Sequence, residues 1–442
     1  PEALDPPFEG APSHDGAFFT RDCFGVHRCT WWGFGMRTER PLTELADSIV
    51  AEVSKELAAR KLPRATYRIQ LSPDFRLDDA ARLVPYLHAL GVSHVYASPF
   101  LQASSDSPHG YDVVDHDRID PRLGGEEGLQ RLVEALPAHE MGLILDFVPN
   151  HMGIGSENMY WQDVLENGPS SIYANFFDII WKPVKDELEN KVLLPVLGDQ
   201  YGAVLEAGEL TLEYGEGSFW VRYYEHRFPI NPRYFPMILE HRLEELQYED
   251  EEPPLDVEEL LSICTACHNL PPRTESDPTR IQERRREKEV IKRRLEKLCE
   301  DSPRVAAFVE DNVRVFNGIP GDPRSFDLLD ALLDAQAYRL AHWRVAGEEI
   351  NYRRFFDIND LAAIRMEDPQ VFEQTHALTL RLLDEGWLDG LRIDHPDGLF
   401  DPEGYFRRLQ RERFLDQCRR VAERLYPEVP FDAVSPLLRA AW

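Results

Sequence analysis

The sequence predicts an α/β fold in which short strands alternate with amphipathic helices, and three observations carry that prediction. The runs TYRIQL (66–71), VSHVYASP (92–99) and GLILDFVP (142–149) are short and β-prone. Between them stand DDAARLVPYLHALG and GEEGLQRLVEALPAHEMG, whose apolar residues recur at helical spacing. The residues with chemistry to offer follow the C-terminal ends of these strands, where both barrels and open α/β sheets build their sites. GLILDFVP is near-continuously apolar, as a parallel strand covered on both faces requires. Strand, helix and strand joined by right-handed crossovers then give a layered parallel sheet.

Composition sets the bounds. A chain of 442 residues, 43% hydrophobic and 29% charged, has the make-up of a globular protein with two or three structural units. Its 79 acidic against 49 basic residues give a net charge of −30. That surplus argues against nucleic acid or an anionic membrane as the main partner, and fits a neutral sugar. No apolar run reaches the roughly 18 residues of a membrane span. The chain opens on Pro1 without a signal-peptide pattern, so its start is read as non-native. Six cysteines are too few for a disulfide framework, and a reducing cytoplasm is the expected compartment.

Taken in order, residues 1–62 read as an appendage. PEALDPPFEGAPSHDG is expected to be irregular, CTWWGFGM is locally apolar, and LTELADSIVAEVSKELAARK has the spacing of an amphipathic helix. Cys23, His27 and Cys29 lack a second ligand pair nearby, which argues against a metal site. From Arg64 the strand–helix rhythm starts. A helix ending at Gly91 follows the first strand, and a long loop, FLQASSDSPHGYDVVDHDRIDPRLGG, follows the second. GEEGLQRLVEALPAHEMG is expected to be helical with a kink at Pro137.

Residues 156–350 interrupt the rhythm. ELTLEY and SFWVRYYEHRF, separated by GEGS, predict a β-hairpin. Arg280–Glu300 reads as one long charged helix with a solvated face, and SFDLLDALLDAQAYRLAHWRVA as a further helix. Alternation resumes at 351. QVFEQTHALTLRLLDEG predicts a helix closed by Gly386, Trp387–Ile393 a strand, and PEGYFRRLQRERFLDQCRRVAERL a last helix.

Three strand ends supply the candidate site. The loop after the second strand offers His109, Tyr111, Asp112 and Asp115. DFVPNH offers Asp146, Asn150 and His151. GLRIDH offers Arg392, Asp394 and His395. Arg392 and Asp394 share one face of their strand, and an arginine beside a carboxylate favours its ionised form, as a nucleophile requires. Alone, that pair has a structural reading, and so has Asp146 on an otherwise apolar strand. Together, Asn, His and Asp beside a tyrosine ring suit sugar hydroxyls and a pyranose face. CTACH (Cys264, Cys267, His268) has the spacing of a haem attachment motif, but its helical context favours ordinary helix cysteines. No phosphate-loop, dinucleotide or GxSxG fingerprint occurs, and neither cofactor nor metal is expected.

DFVPNH followed by GLRIDH resembles two signature regions of the alpha-amylase family of retaining glycoside hydrolases and transglycosylases. Further segments are similar to the maltooligosyltrehalose synthases within it: TYRIQLSPDF, SPHGYDVVDHDRIDPRLGGEEG, KVLLPVLGD, EKEVIKRRL, FNGIPGDPRSFDLLDALL and NYRRFFDINDLAAIR. The likeness runs from about Arg64 to Gln410. It implies a (β/α)8 barrel, incomplete here at about four strands. It further implies a barrel part at 63–155, an inserted, mostly helical subdomain at 156–350, and a continuation at 351–442 that ends early, behind an extension of unknown role at 1–62. It implies Asp394 as nucleophile, Arg392 as its orienting partner, and Asp146, Asn150, His151, Tyr111 and His395 around the reacting sugar. His109 and Asp112 complete the substrate-binding set. The implied reaction converts the reducing-end α-1,4 bond of a maltooligosaccharide to an α,α-1,1 bond, and a trehalohydrolase acting on the product is the implied pathway partner.

One element of the pattern is missing. The partner acid of the family is a glutamate on a fifth strand, in a segment like VVEKIL. PEVPFDAVSPLL stands where that strand is expected and has no such glutamate, while Glu403, Glu412, Glu423 and Glu428 fall in helix or turn contexts. The chain is therefore expected to be truncated and to show little activity alone. Other readings are an alpha-amylase-family hydrolase or 4-α-glucanotransferase, or a non-catalytic glucan-binding remnant.

Overall fold

A computed structural model describes residues 41–60, 62–246 and 254–442. The expectations placed on residues 1–40, including the Cys23–His27–Cys29 group, lie outside the described residues.

Four parallel strands organise the molecule. In order across the sheet they are Thr66–Ile69, His94–Ala97, Gly142–Phe147 and Gly390–Ile393; they are called the first to fourth strands below. The register sets Ala97 beside Leu145 and Arg392 beside Asp146. Helices Leu77–Ala89, Gly125–Ala135 and Pro369–Asp384 each precede a strand, and Pro402–Leu425 follows the fourth. This α/β arrangement is half of an eight-stranded (β/α)8 barrel.

The sheet holds because one face of its third strand is apolar and covered by helices. Leu143, Leu145 and Phe147 are fully buried, and so are Leu77, Val84 and Leu87 on one covering helix and Leu129 and Leu132 on the next. Each such side chain contributes about 1.5–3 kcal/mol relative to exposure. Gly91 and Gly386 take φ of +82° and +76°, the left-handed conformation that ends the helices before the second and fourth strands.

Several expectations are corrected. The loop after the second strand contains an antiparallel pair, Leu101–Ala103 with Val113–Ile119, because Val113, Val114 and Ile119 bury. The helix before the third strand ends at Ala135 rather than kinking, and Pro137 opens a 3-10 turn instead. Its ring and missing N–H disfavour continuing the α-helix there. The fourth strand starts at Gly390, and Asp389 bridges to it by exchanging backbone and side-chain hydrogen bonds with Leu143. The tail PEVPFDAVSPLL is no strand: Phe431–Ala441 is helical, with Val434 and Leu438 packed on helices Leu42–Ala58 and Pro402–Leu425 in a small separate core.

Residues between the third and fourth strands carry more β structure than expected. SFWVRYYEHRF folds into two strands, not one, so Thr211–Gly215, Ser218–Tyr223 and His226–Pro229 form a three-stranded antiparallel sheet. The helix in SFDLLDALLDAQAYRLAHWRVA stops at Asp334, and Tyr338–His342 pairs in parallel with Val192–Leu197. Burial alternates along it, with Tyr338 and Leu340 inside and Arg339 outside, which is strand periodicity. The charged helix Pro278–Asp301 is not merely solvated. It buries Arg284 against Asn167, Asn231 and the Pro271 carbonyl, and buries Lys288 against Asp163 and Glu166. No helix among the described residues is long and apolar enough to cross a membrane.

Candidate active site

The fourth strand delivers Arg392 to the sheet end, and the chain bends just beyond it. The Asp394 backbone N–H donates to the Phe147 carbonyl at 2.8 Å, which ties the bend to the end of the third strand. Arg392 Nη1 then donates to both neighbours, to Asp394 Oδ1 at 2.5 Å and to Asp146 Oδ1 at 2.9 Å. The two carboxylates are not equivalent. Asp146 has a fully buried side chain, whereas that of Asp394 keeps 14% of its surface open to solvent.

Asp146 is satisfied by protein donors. Its Oδ2 accepts from the hydroxyls of Tyr96 and Tyr111, each at 2.6 Å. Tyr111 also accepts from Arg68 Nη2 of the first strand at 3.1 Å. Burial, reinforced by the hydrogen bond to Asp146, pushes Tyr96 up to about 12 and raises Tyr111 as well, so both remain donors at neutral pH. Burial works against the Arg392 charge, but its hydrogen bonds to Asp146 and Asp394 outweigh that and hold the guanidinium above its ordinary range.

Asn150, His151 and His395 form a second group beside the first. Asn150 Oδ1 accepts from Arg353 Nη1 at 3.0 Å, and the same nitrogen donates to the Gly398 carbonyl behind the turn that follows Asp394. Phe355 lies between the two histidines, 4.2 Å from the His151 ring and 4.9 Å from that of His395. Burial pushes His151 down to about 4, so it is neutral, and its Nε2 is buried without a protein hydrogen-bond partner. His395 has φ of +44°, which a non-glycine residue adopts only under tight local constraint. Gly398 provides the room: a Cβ there would stand 2.3 Å from His395 Cδ2 and 2.8 Å from Asn150 Oδ1.

His109 and Asp112 stand at the rim, 3.7 Å apart, on the wall of a cavity of about 600 Å³ that continues toward Tyr352 and Leu361. Asp115 is engaged locally, accepting the Asp117 N–H at 2.8 Å. Sequence reasoning missed Arg68, Tyr96 and Arg353. Tyr96 had a faint signal, a phenol near the end of an apolar strand. Arg353 had none, since its partners Asp178 and Asn150 lie 175 and 203 residues away. CTACH sits in the helix Leu255–Asn269 with both thiols buried and His268 hydrogen-bonded to Glu240.

A partly exposed carboxylate oriented by an arginine, next to a buried carboxylate already saturated by donors, can act as a nucleophile toward a ligand entering from the strand ends. Comparison with known proteins bears on this arrangement. Residues 79–224 match the family model described as alpha amylase, catalytic domain. A Mycobacterium tuberculosis protein provisionally named a maltooligosyl trehalose synthase is 32% identical over 391 residues, which cover 83% of this chain and 36% of that protein. The structure of maltooligosyltrehalose synthase from Arthrobacter ramosus is 36% identical over 78% of this chain and 33% of its own, with a TM-score of 0.52. A further maltooligosyl trehalose synthase crystal structure is 29% identical over 79% of this chain and 34% of its own, with a TM-score of 0.53. The chain thus spans about a third of the length of the relatives it matches. The parallel half-barrel, the family-model match and these relatives agree in likening the chain to the alpha-amylase family.

Proposed function

We propose that the site handles maltooligosaccharides by a retaining, covalent mechanism, and that the reaction is the intramolecular transglucosylation of a (1→4)-α-D-glucan 1-α-D-glucosylmutase. The observation that carries this reading is the partly exposed Asp394 carboxylate held by Arg392 beside saturated Asp146. Asp394 attacks the anomeric carbon of the glucosyl unit next to the reducing end. The bond from that carbon to O4 of the terminal glucose breaks, and O4 takes a proton from a general acid. The freed glucose turns, and its anomeric hydroxyl attacks the glycosyl–enzyme while giving its proton to the same group. Asp394 leaves as a carboxylate, and the new bond is α,α-1,1. Two inversions give retention, which calls for two carboxyl groups about 5–5.5 Å apart. The transfer changes no oxidation state, so the reading includes no cofactor.

The roles of the other groups follow from their surroundings. Arg392 fixes the attack angle of Asp394. The unpartnered Nε2 of His151, with Asn150, His395 and Tyr111, supports contacts to hydroxyls of the reacting sugar. Asp146 holds Arg392, Tyr96 and Tyr111 in place. His109 and Asp112 meet the chain farther along. Keeping water from the glycosyl–enzyme is what separates isomerisation from hydrolysis. A trehalohydrolase acting on the product belongs to the same reading.

Among the described residues this reading assigns no carboxyl group to the general-acid role. Glu403, Glu412 and Glu423 lie along the helix Pro402–Leu425, and Glu428 lies in the turn behind it, none on a strand of the sheet. We therefore expect residues 1–442 alone to turn over maltopentaose slowly or not at all. An α-maltosyl fluoride separates the two halves of the mechanism, because fluoride departs without a proton. Mass spectrometry after incubation with its 5-fluoro derivative should show a glycosyl adduct on Asp394 that Asp394→Asn lacks. The absence of both the adduct and fluoride release would sink the nucleophile assignment. With maltopentaose and the rest of a relative's barrel supplied, non-reducing product marks the mutase, reducing sugar a hydrolase and longer chains a glucanotransferase.

A further inference from the structure

We propose that the cavity between the helix Met159–Asn167, the strand Ser218–Tyr223 and the helix Pro278–Asp301 is a second maltooligosaccharide-binding site, with Arg227 as its central donor. The proposal rests on the glucan reading above. It adds a site lined by none of the residues that surround Asp394, built wholly from the segment between the third and fourth strands.

The cavity has a volume of about 580 Å³, within the range of about 300–1,000 Å³ for small-molecule sites. Its charges balance. Arg227, Arg285, Lys288 and Lys292 line it, and so do Asp163, Glu166, Glu216 and Glu289. The two lysines are already engaged: Lys288 pairs with Asp163 at 2.8 Å and with Glu166, and Lys292 also pairs with Glu166. A phosphate entering here would compete with carboxylates for its lysines. A neutral ligand rich in hydroxyls meets donors and acceptors side by side and needs no counter-ion, which is the chemistry of a sugar.

Trp220 and Arg227 give the cavity its geometry. The Trp220 indole N–H donates to Glu213 Oε2 at 2.8 Å, which fixes the ring. The Arg227 guanidinium lies over that ring at 3.7 Å from the centroid. Stacked in this way, its planar fork of N–H groups is preorganised for adjacent oxygen atoms, such as the vicinal hydroxyls of a glucosyl unit. Tyr173, Phe219 and Met159 add apolar wall for the sugar faces. The cavity also shares a wall with the one at His109 and Asp112, since Ser156, Gln162 and Arg227 line both. A single glucan long enough to pass Arg227 can occupy the two together.

The test uses the 442-residue chain labelled with 5-fluorotryptophan. The Trp220 resonance is identified by its loss in Trp220→Phe, and Trp161, which lines the cavity at His109, provides a second reporter. Titration with maltoheptaose should shift the Trp220 resonance to saturation. Arg227→Gln should weaken that response roughly tenfold, and Arg227→Lys, which keeps the charge but loses the fork, should weaken it by a smaller factor. A shift confined to Trp161 overturns the second site and leaves the glucan reading standing. Silence at every tryptophan overturns the second site, and the Asp394 adduct decides the glucan reading separately. A Trp220 shift with inorganic phosphate and none with maltoheptaose makes this an anion site and overturns the proposal.

Discussion

Replacing Asp146 by asparagine preserves the shape of the side chain and removes its charge. The wild-type carboxylate accepts three hydrogen bonds, from Tyr96 and Tyr111 at Oδ2 and from Arg392 at Oδ1. A carboxamide has one acceptor oxygen. If that oxygen keeps the two tyrosines, the amide NH2 faces Arg392 Nη1, donor against donor, at 2.9 Å. A hydrogen bond to a charged group is worth about 1.5–3 kcal/mol. The Arg392 side chain is 47% exposed, so water takes up part of its lost partner, and the low end applies. Asp146→Asn should therefore cost about 2 kcal/mol. Arg392→Met, which leaves Asp146 buried with only its tyrosine donors, should cost about as much. If the pair acts as a unit, the double variant should cost less than the sum, with a coupling of about 1.5 kcal/mol. Urea denaturation of all four proteins at pH 7, followed by circular dichroism, measures this. A coupling below about 0.5 kcal/mol would refute the claim that Asp146 holds Arg392 in place.

Acid stability should be set first by buried imidazoles. Burial pushes His116 and His151 to about 4 and His376 to about 3, all below the unfolded value of about 6.5. A folded value below the unfolded one means that stability is full above about pH 6.5 and falls as the pH drops toward 4, by up to about 1.4 kcal/mol per unit for each ring. Urea midpoints at pH 7, 6 and 5 should decline, and His116→Phe should flatten the slope; a constant midpoint contradicts the argument. Glu166→Gln should destabilise by about 3 kcal/mol, because it removes the buried carboxylate that Lys288 and Lys292 share and leaves Lys288 with Asp163, and a loss under 1 kcal/mol in the same assay would rule that network out as a lock on the Pro278–Asp301 helix. Gly398→Ala should leave the chain folded yet slow formation of the Asp394 adduct at least tenfold, since the added methyl meets His395 and Asn150; an unchanged rate shows that the turn does not position the site. Cys264 and Cys267, buried and with thiol values pushed up by that burial, should resist an aromatic disulfide reagent in the native state and react only on unfolding.

The sequence alone determined the α/β alternation, the third strand as a buried parallel strand, and the pairing of Asp394 with Arg392. These rest on local rules: period two in strands, period 3.6 in helices, glycine at helix ends, and side chains two apart sharing a strand face. Where local and tertiary signals conflicted, the local reading failed. Tyr338–His342 continued a helical pattern, yet it became a strand because Val192–Leu197 offers it a parallel partner. The charged helix Pro278–Asp301 looked solvated, yet Arg284 and Lys288 are buried because Asn167, Asn231, Asp163 and Glu166 meet them.

Only the tertiary structure decided how the site is shared out. It made Asp146 the buried, saturated carboxylate and Asp394 the partly exposed one, because register places the first at the sheet's interior and the second past a strand end. It also recruited Tyr96, Arg68 and Arg353, whose partners lie far off in the chain. Burial and long-range register are properties of the assembled sheet, and no window of sequence contains them.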